Sequence, residues 1–121
     1  MNQIFDKTLR ALATSNKIRE VKQSVLSANV ANAETPGYHA QKVDFESELK
    51  RALNINEGSI ESVKADIYDN PEVDVSNDGN TVDLEKELSS MVENNIMYRA
   101  VNQLINKKLA SLKYMASDGG R

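Results

Sequence analysis

Residues 84–112 read LEKELSSMVENNIMYRAVNQLINKKLASL. Within this stretch Leu84, Leu88, Met91, Asn95, Tyr98, Asn102, Ile105, Leu109 and Leu112 follow one another by alternating steps of four and three. That spacing keeps one side of an α-helix against a partner helix. Val92, Ile96, Val101 and Leu104 lie beside the row and widen it, which predicts contact with more than one neighbour. Neither Pro nor Gly interrupts the pattern, so it predicts one helix over about residues 82–116, roughly 52 Å long at 1.5 Å per residue. Asn80 is placed to cap its start, and Asp83, Glu85 and Glu87 complement the positive end of the helix dipole. Asp78, Asp83, Glu85 and Glu87 also have the composition of a metal or acid/base cluster, but a solvated, dipole-matched first turn accounts for them.

The amino-terminal part repeats the theme more thinly. Ile4, Ala11, Ile18, Val25 and Asn32 recur every seven residues, and Val21 and Ala28 fall three further on. This predicts a helix over about residues 3–33, roughly 46 Å long. Its stripe of small side chains permits close approach but is too narrow to hold the helix folded alone. A compact domain of 121 residues would be about 35 Å across, shorter than either helix. The chain is therefore expected to be elongated and mainly α, with its amino- and carboxy-terminal helices paired as a coiled coil and its core completed by other chains. Asn32, Asn95 and Asn102 are polar at seam positions. Either they set register and partner number through matched amides, or the stripe rotates and leaves them at a solvent edge.

Composition removes several classes of function. The chain is 40% apolar and 27% charged, with six aromatic residues, one histidine, no cysteine and no tryptophan. It holds neither a thiolate nor a His-based metal site, nor a His-dependent triad, so no enzymatic role and no cofactor is expected. No stretch reaches the length of a membrane span, and the first residues lack the apolar core of a secretory signal. Net charge is −3, and it is unevenly spread. Residues 1–33 carry five basic and two acidic side chains, residues 34–80 four and eleven, and residues 81–121 six and five. An acidic middle without a basic stripe is unsuited to nucleic acid, and no small-molecule substrate is expected.

Between the helices, residues 27–40 read SANVANAETPGYHA. Proline disfavours helical geometry in the residue before it, so the first helix must end at or before Thr35. Pro36 and Gly37 fit the second and third positions of a type II turn, from which Tyr38 departs in a set direction. Asn29 and Asn32, one helical turn earlier, can bond exposed carbonyls or the turn itself. Val43, Phe45, Leu49 and Leu53, with the charges between them, predict a short helix or turn packed on the long helices through Phe45 and Leu49. Val63, Ala65 and Ile67 alternate as a half-buried strand over 60–67, broken at Asn70-Pro71, and a second extended piece around Val73–Val75 could pair with it. Ser76 to Asn80 form a turn into the second long helix. One structural unit results: helix 1–34, turn motif and outward-facing acidic middle 35–80, and helix with a short tail 81–121.

Ser27, Asn29, Val30, Ala31, Asn32, Ala33, Thr35, Pro36, Gly37 and Tyr38 resemble the amino-terminal signature of the bacterial flagellar axial proteins, which comprise rod, hook and hook-associated subunits. The stretches Val43 to Leu49 and Asp78 to Glu87 narrow the resemblance to the basal-body rod family, and within it to proximal subunits of the FlgB type. Glu34 stands where Asn or Asp is commoner in that family, and His39 where a basic residue is usual. The resemblance implies a non-enzymatic structural subunit whose terminal helices polymerise into the periplasm-spanning axial drive shaft and channel of a motility organelle. It implies partners in other copies of the chain, homologous rod subunits, the membrane ring and its rod adaptor (FliE type). It also implies passage through the flagellar type III export apparatus without a cleaved signal peptide, which fits the absence of cysteine. Phe5 and Leu9 match the Phe-x-x-x-hydrophobic spacing of an export element, although the same spacing arises on any amphipathic helix. The alternatives are another rod paralogue, or a cytosolic coiled-coil adaptor or chaperone-like homodimer.

Overall fold

The computed structural model describes residues 2–54, 66–69 and 79–118. Two long helices dominate it: α1, Asn2–Ala31, and α3, Leu84–Asp118, with the short helix α2, Phe45–Asn54, between them. At 1.5 Å per residue the long helices measure about 45 Å and 52 Å, so the molecule is elongated. They lie side by side and antiparallel: Phe5 meets Lys108, Asn16 meets Asn102, and Asn29 meets Glu87. The paired terminal helices match the expectation from sequence, with boundaries displaced by one or two residues.

α1 unwinds through tightening bonds. The Asn32 amide donates to the carbonyls of Ala28 and Asn29, Ala33 donates to Val30, and Thr35 donates to Asn32. The Tyr38 amide then donates to the Thr35 carbonyl at 3.2 Å, and Gly37 takes a φ of 74°. Proline second and a left-handed residue third make this the type II turn the sequence predicts.

α2 starts because Asp44 caps it. The Asp44 carboxylate accepts from the Ser47 amide at 3.2 Å and from the Ser47 hydroxyl at 3.0 Å. These bonds hold its pKa below the usual aspartate value. Phe45 and Leu49, one turn apart, pack on the cluster of Ile18, Val25 and Val43, which also takes Val21. The Arg19 guanidinium sits 4.1 Å over the Phe45 ring. Leu53 is exposed, so only the first two apolar positions of α2 anchor it.

The extended pieces differ from expectation. Of the strand predicted over 60–67, residues 60–65 lie outside the described residues, Asp66 and Ile67 are irregular, and the strand β2 is Tyr68–Asp69. Its antiparallel partner is β1, Gln41–Lys42, with Gln41 opposite Asp69. The segment Val73–Val75, expected to supply the second strand, also lies outside the described residues. The pairing lands at Gln41 because the turn returns the chain there: the Gln41 side chain donates to the Asp69 carboxylate at 2.7 Å. Arg51 reinforces the link from α2 with a bond to Asp66 at 3.0 Å.

The start of α3 also corrects the sequence reading. Asp83, not Asn80, caps it: the Asp83 carboxylate accepts from the Lys86 amide at 3.2 Å, and its carbonyl accepts from the Glu87 amide. Asn80 is buried and engaged elsewhere, because the chain passes under the turn before it enters the helix.

Candidate functional site

Two features concentrate the specific structure: a polar knot where the turn meets both long helices, and the surfaces of α3. Asn29 is the centre of the knot. It is fully buried, its amide nitrogen donates to the Gln41 carbonyl at 2.8 Å and to Glu87 Oε2 at 3.0 Å, and its oxygen accepts from the Gln41 amide at 2.9 Å and from the Tyr38 hydroxyl at 3.2 Å. One side chain thus ties α1, the returning strand and α3 together. Burial, with the nearby Glu87 and Asp69 carboxylates, raises the Tyr38 pKa.

Asn80 closes the other side. Its amide nitrogen donates to the carbonyls of Asn32 at 2.9 Å and Thr35 at 2.7 Å, and its oxygen accepts from the Val82 amide. Two carbonyls that already accept turn amides after α1 therefore take a second donor from a residue 45 or more positions away. Thr81 adds to the clamp: its amide donates to the Tyr38 carbonyl, and its hydroxyl accepts from the Ala40 amide at 2.7 Å. Gly79 lies against the turn with a φ of 79°, and a Cβ there would sit 3.6 Å from Gly37 Cα.

Of the turn residues singled out from sequence, Asn29 and Tyr38 enter the knot. Asn32 instead bonds the Ala28 carbonyl and accepts from the Thr35 hydroxyl. Ala31, Thr35, Pro36 and Gly37 are exposed. Asn80, Thr81 and Glu87 were not recognised as parts of the turn. Nothing in local spacing reveals a contact across 40 to 60 residues, although a run of Asn and Thr just before a capped helix hints that those side chains are occupied.

The contact between α1 and α3 is polar to an unusual degree. Asn94, 2% exposed, donates to the Arg19 carbonyl and to Gln23 Oε1, both at 2.9 Å, and accepts from the Arg19 guanidinium. Burial lowers the Arg19 pKa against the opposing effect of Glu93. Asn16, also buried, donates to Asn102 Oδ1 at 2.7 Å and to the Tyr98 carbonyl. The Tyr98 hydroxyl reaches Glu20. Apolar burial along the pair is limited to a few positions, among them Ile18, Val25, Leu26 and Val101.

Within the chain, α3 faces α1 through Glu87, Met91, Asn94, Tyr98, Val101, Ile105 and Lys108, which are buried or half-buried. Met91, Tyr98, Asn102 and Ile105 of the predicted row are half-buried at that face. Leu84, Leu88, Asn95, Leu109 and Leu112 are exposed, so they take no comparable part in the intramolecular contact. On α1, Ile18 and Val25 are buried and Val21 is half-buried, whereas Ile4 is 74% exposed. Phe5 and Leu9 are half-buried, and the Lys108 ammonium sits 5.5 Å over the Phe5 ring. Within the chain Asn102 bonds Asn16 across the α1–α3 contact, whereas Asn95 is exposed.

Among the residues α3 leaves outside is an apolar row. Leu84, Leu88, Val92 and Ile96, each four residues from the last, are 45%, 44%, 60% and 60% exposed. They form a ridge next to the polar contact with α1. Large exposed apolar ridges on a soluble chain mark surfaces that another molecule covers.

Residues 9–39, which run from α1 through the turn, match the family described as flagella basal body rod protein. Over nearly its whole length the chain is similar to curated rod proteins. It is 30% identical to the flagellar basal body rod protein FlgB of Salmonella typhimurium, with 95% of this chain and 96% of that protein covered. It is 32% identical to FlgB of Proteus mirabilis, with 84% and 88% covered, and 28% identical to FlgB of Bacillus subtilis, with 96% and 98% covered.

Proposed function

The chain belongs to the FlgB family of flagellar basal body rod proteins, and from that premise we propose that it is a structural subunit of the rod that polymerises through its terminal helices. The observation that carries this reading is the inversion of polarity on α3. Its contact inside the chain carries the buried amides Asn94 and Asn16 beside a few apolar side chains, while Leu84, Leu88, Val92 and Ile96 are exposed. A monomer gains nothing from that arrangement. A subunit that completes its core against neighbours does, because assembly buries the exposed ridge.

In this reading, copies of the chain and homologous rod subunits stack into an axial tube that crosses the periplasm, transmits torque and surrounds the export channel. The membrane ring and its adaptor meet the base of the tube, and the chain reaches its place through the flagellar export apparatus, with Phe5 and Leu9 as the element read in transit. The polar knot around Asn29 and Asn80 has a mechanical role: it fixes the angle at which the middle segment leaves the helical hairpin.

Incorporation into basal bodies tests the reading. Leu109 is 47% exposed, so Leu109→Asp places a charge on the surface of the free chain but in the interior of an assembled one. The variant is expected to be exported and to be absent from isolated basal bodies. Normal stoichiometry of Leu109→Asp there, or recovery of the wild-type chain only as a closed cytosolic dimer, would contradict it.

A further inference from the structure

Where β1 meets the helical hairpin, α1, β1 and α3 together line a cavity of about 180 Å³. Its wall carries a lysine from each element, Lys22 of α1, Lys42 of β1 and Lys86 of α3, and one acid, Glu87. Glu87 is committed to the polar knot, where its Oε2 accepts from the Asn29 amide. Leu26 and Val43, both buried, give the same wall an apolar part.

Lys22 is the group out of balance. It is half-buried, and among the described residues it makes no ion pair. Burial first, and then Arg19, lower its pKa against the raising effect of Glu93; Lys42 and Asp44 add a weaker pair of opposed effects. Each base outweighs the acid that follows it, so the ammonium stands in a positive field with both acids counted. Asp44 is moreover engaged by Ser47, and Arg19 by Asn94 and the Phe45 ring. A half-buried ammonium without a close counter-charge costs stability that an anion in the cavity offsets. The cavity has the volume of about six waters, room for a carboxylate on a short aliphatic stem. Phosphate is a poorer match, because its oxygens need donors on every side and here meet Leu26 and Val43.

We propose that this cavity is a carboxylate-binding site, in which Lys22 pairs with the carboxylate while Leu26 and Val43 receive the aliphatic stem. Two sources supply that chemistry: a free short-chain acid, or an acidic side chain of a neighbouring protein.

Butyrate is the probe. Full-length chain folded with an excluded osmolyte is melted in sodium butyrate and in sodium chloride at equal ionic strength. The wild type is expected to melt higher in butyrate, because the ligand binds the folded state. Lys22→Met keeps the aliphatic stem and removes the charge; it is expected to weaken butyrate binding about tenfold and to melt no lower than the wild type in chloride. Lys22→Arg keeps the charge and is expected to retain binding. No butyrate-specific shift in the wild type, an equal shift in Lys22→Met, or a lower melting point of Lys22→Met in chloride overturns the site. None of these results touches the rod reading, since no assembly is involved. Motile cells then separate the two sources. Scarcity of Lys22→Met in isolated basal bodies, with Lys22→Arg at the normal amount, identifies a neighbour's acidic side chain, whereas normal amounts of both identify a free acid.

Discussion

Asn29 satisfies four groups with one amide, and that economy makes it sensitive to a change of a single atom. Asn29→Asp keeps the shape but sets a second carboxylate beside Glu87, where the amide nitrogen now lies 3.0 Å from Oε2. The variant should be less stable than the wild type by about 3 kcal/mol at pH 7. It should recover part of that loss on acidification, as one carboxylate of the pair takes up a proton. Thermal unfolding of osmolyte-folded chain at pH 7 and pH 4.5 measures both effects. Gly37 is sensitive for a different reason. A Cβ at Gly37 meets nothing within 4 Å, so the cost of Gly37→Val lies in the φ of 74°, which a β-branched residue resists. Motility should fall while export continues, as read by swimming assays beside secretion blots; unchanged swimming would remove the turn from the mechanism.

At the scale of elements, the two long helices and the turn were legible because their signals are local: steps of three and four, Pro before Gly, and no breaker inside either helix. The face α3 turns to α1 was not. Two frames share Met91, Tyr98 and Ile105. The more apolar frame runs through Leu88, Asn95 and Leu109, yet the chain uses Glu87, Asn94, Val101 and Lys108. Apolar periodicity reports where a helix can be covered, not which molecule covers it. Asn94 and Asn95 are adjacent and chemically identical, and only the position of Arg19 and Gln23 on α1 decides which is buried. The Asn80 clamp and the β1–β2 pairing were illegible for a related reason, since both depend on where the chain returns. Of the helix or turn expected after Val43, the chain forms the helix α2, anchored through Phe45 and Leu49 as expected, and its cap offers a pH test. The folded-state pKa of Asp44 is lowered from 3.8, chiefly by the Ser47 bonds. Its contribution should be complete above that value and be lost as pH falls through the lowered one. In osmolyte-folded chain the protection of the Ser47 amide, its exchange rate relative to the intrinsic rate at the same pH, should therefore fall with acidification in the wild type and not in Asp44→Asn.

For the whole molecule the question is what holds two helices of this length together. Among the described residues the buried apolar side chains are Ile18, Val25, Leu26, Ala40, Val43 and Val101. So small a core does not offset the conformational entropy of ordering helices of 30 and 35 residues. The dilute chain should give a weak helical circular dichroism signal without a cooperative melt, and helicity should rise with assembly. A dilute monomer with a full, cooperatively melting helix pair would show that the hairpin needs no neighbours. The absence of cysteine, the mixed charge of the helices and the amides between them fit the proposed course, in which the chain is exported loosely folded and sets its register on assembly. If the outer ridge of α3 is an interface in an assembled rod, density for this chain in isolated basal bodies should show the antiparallel helix pair with Leu84, Leu88, Val92 and Ile96 covered by a neighbouring subunit. Density in which that ridge faces solvent, or basal bodies without the chain, would rule the interface out.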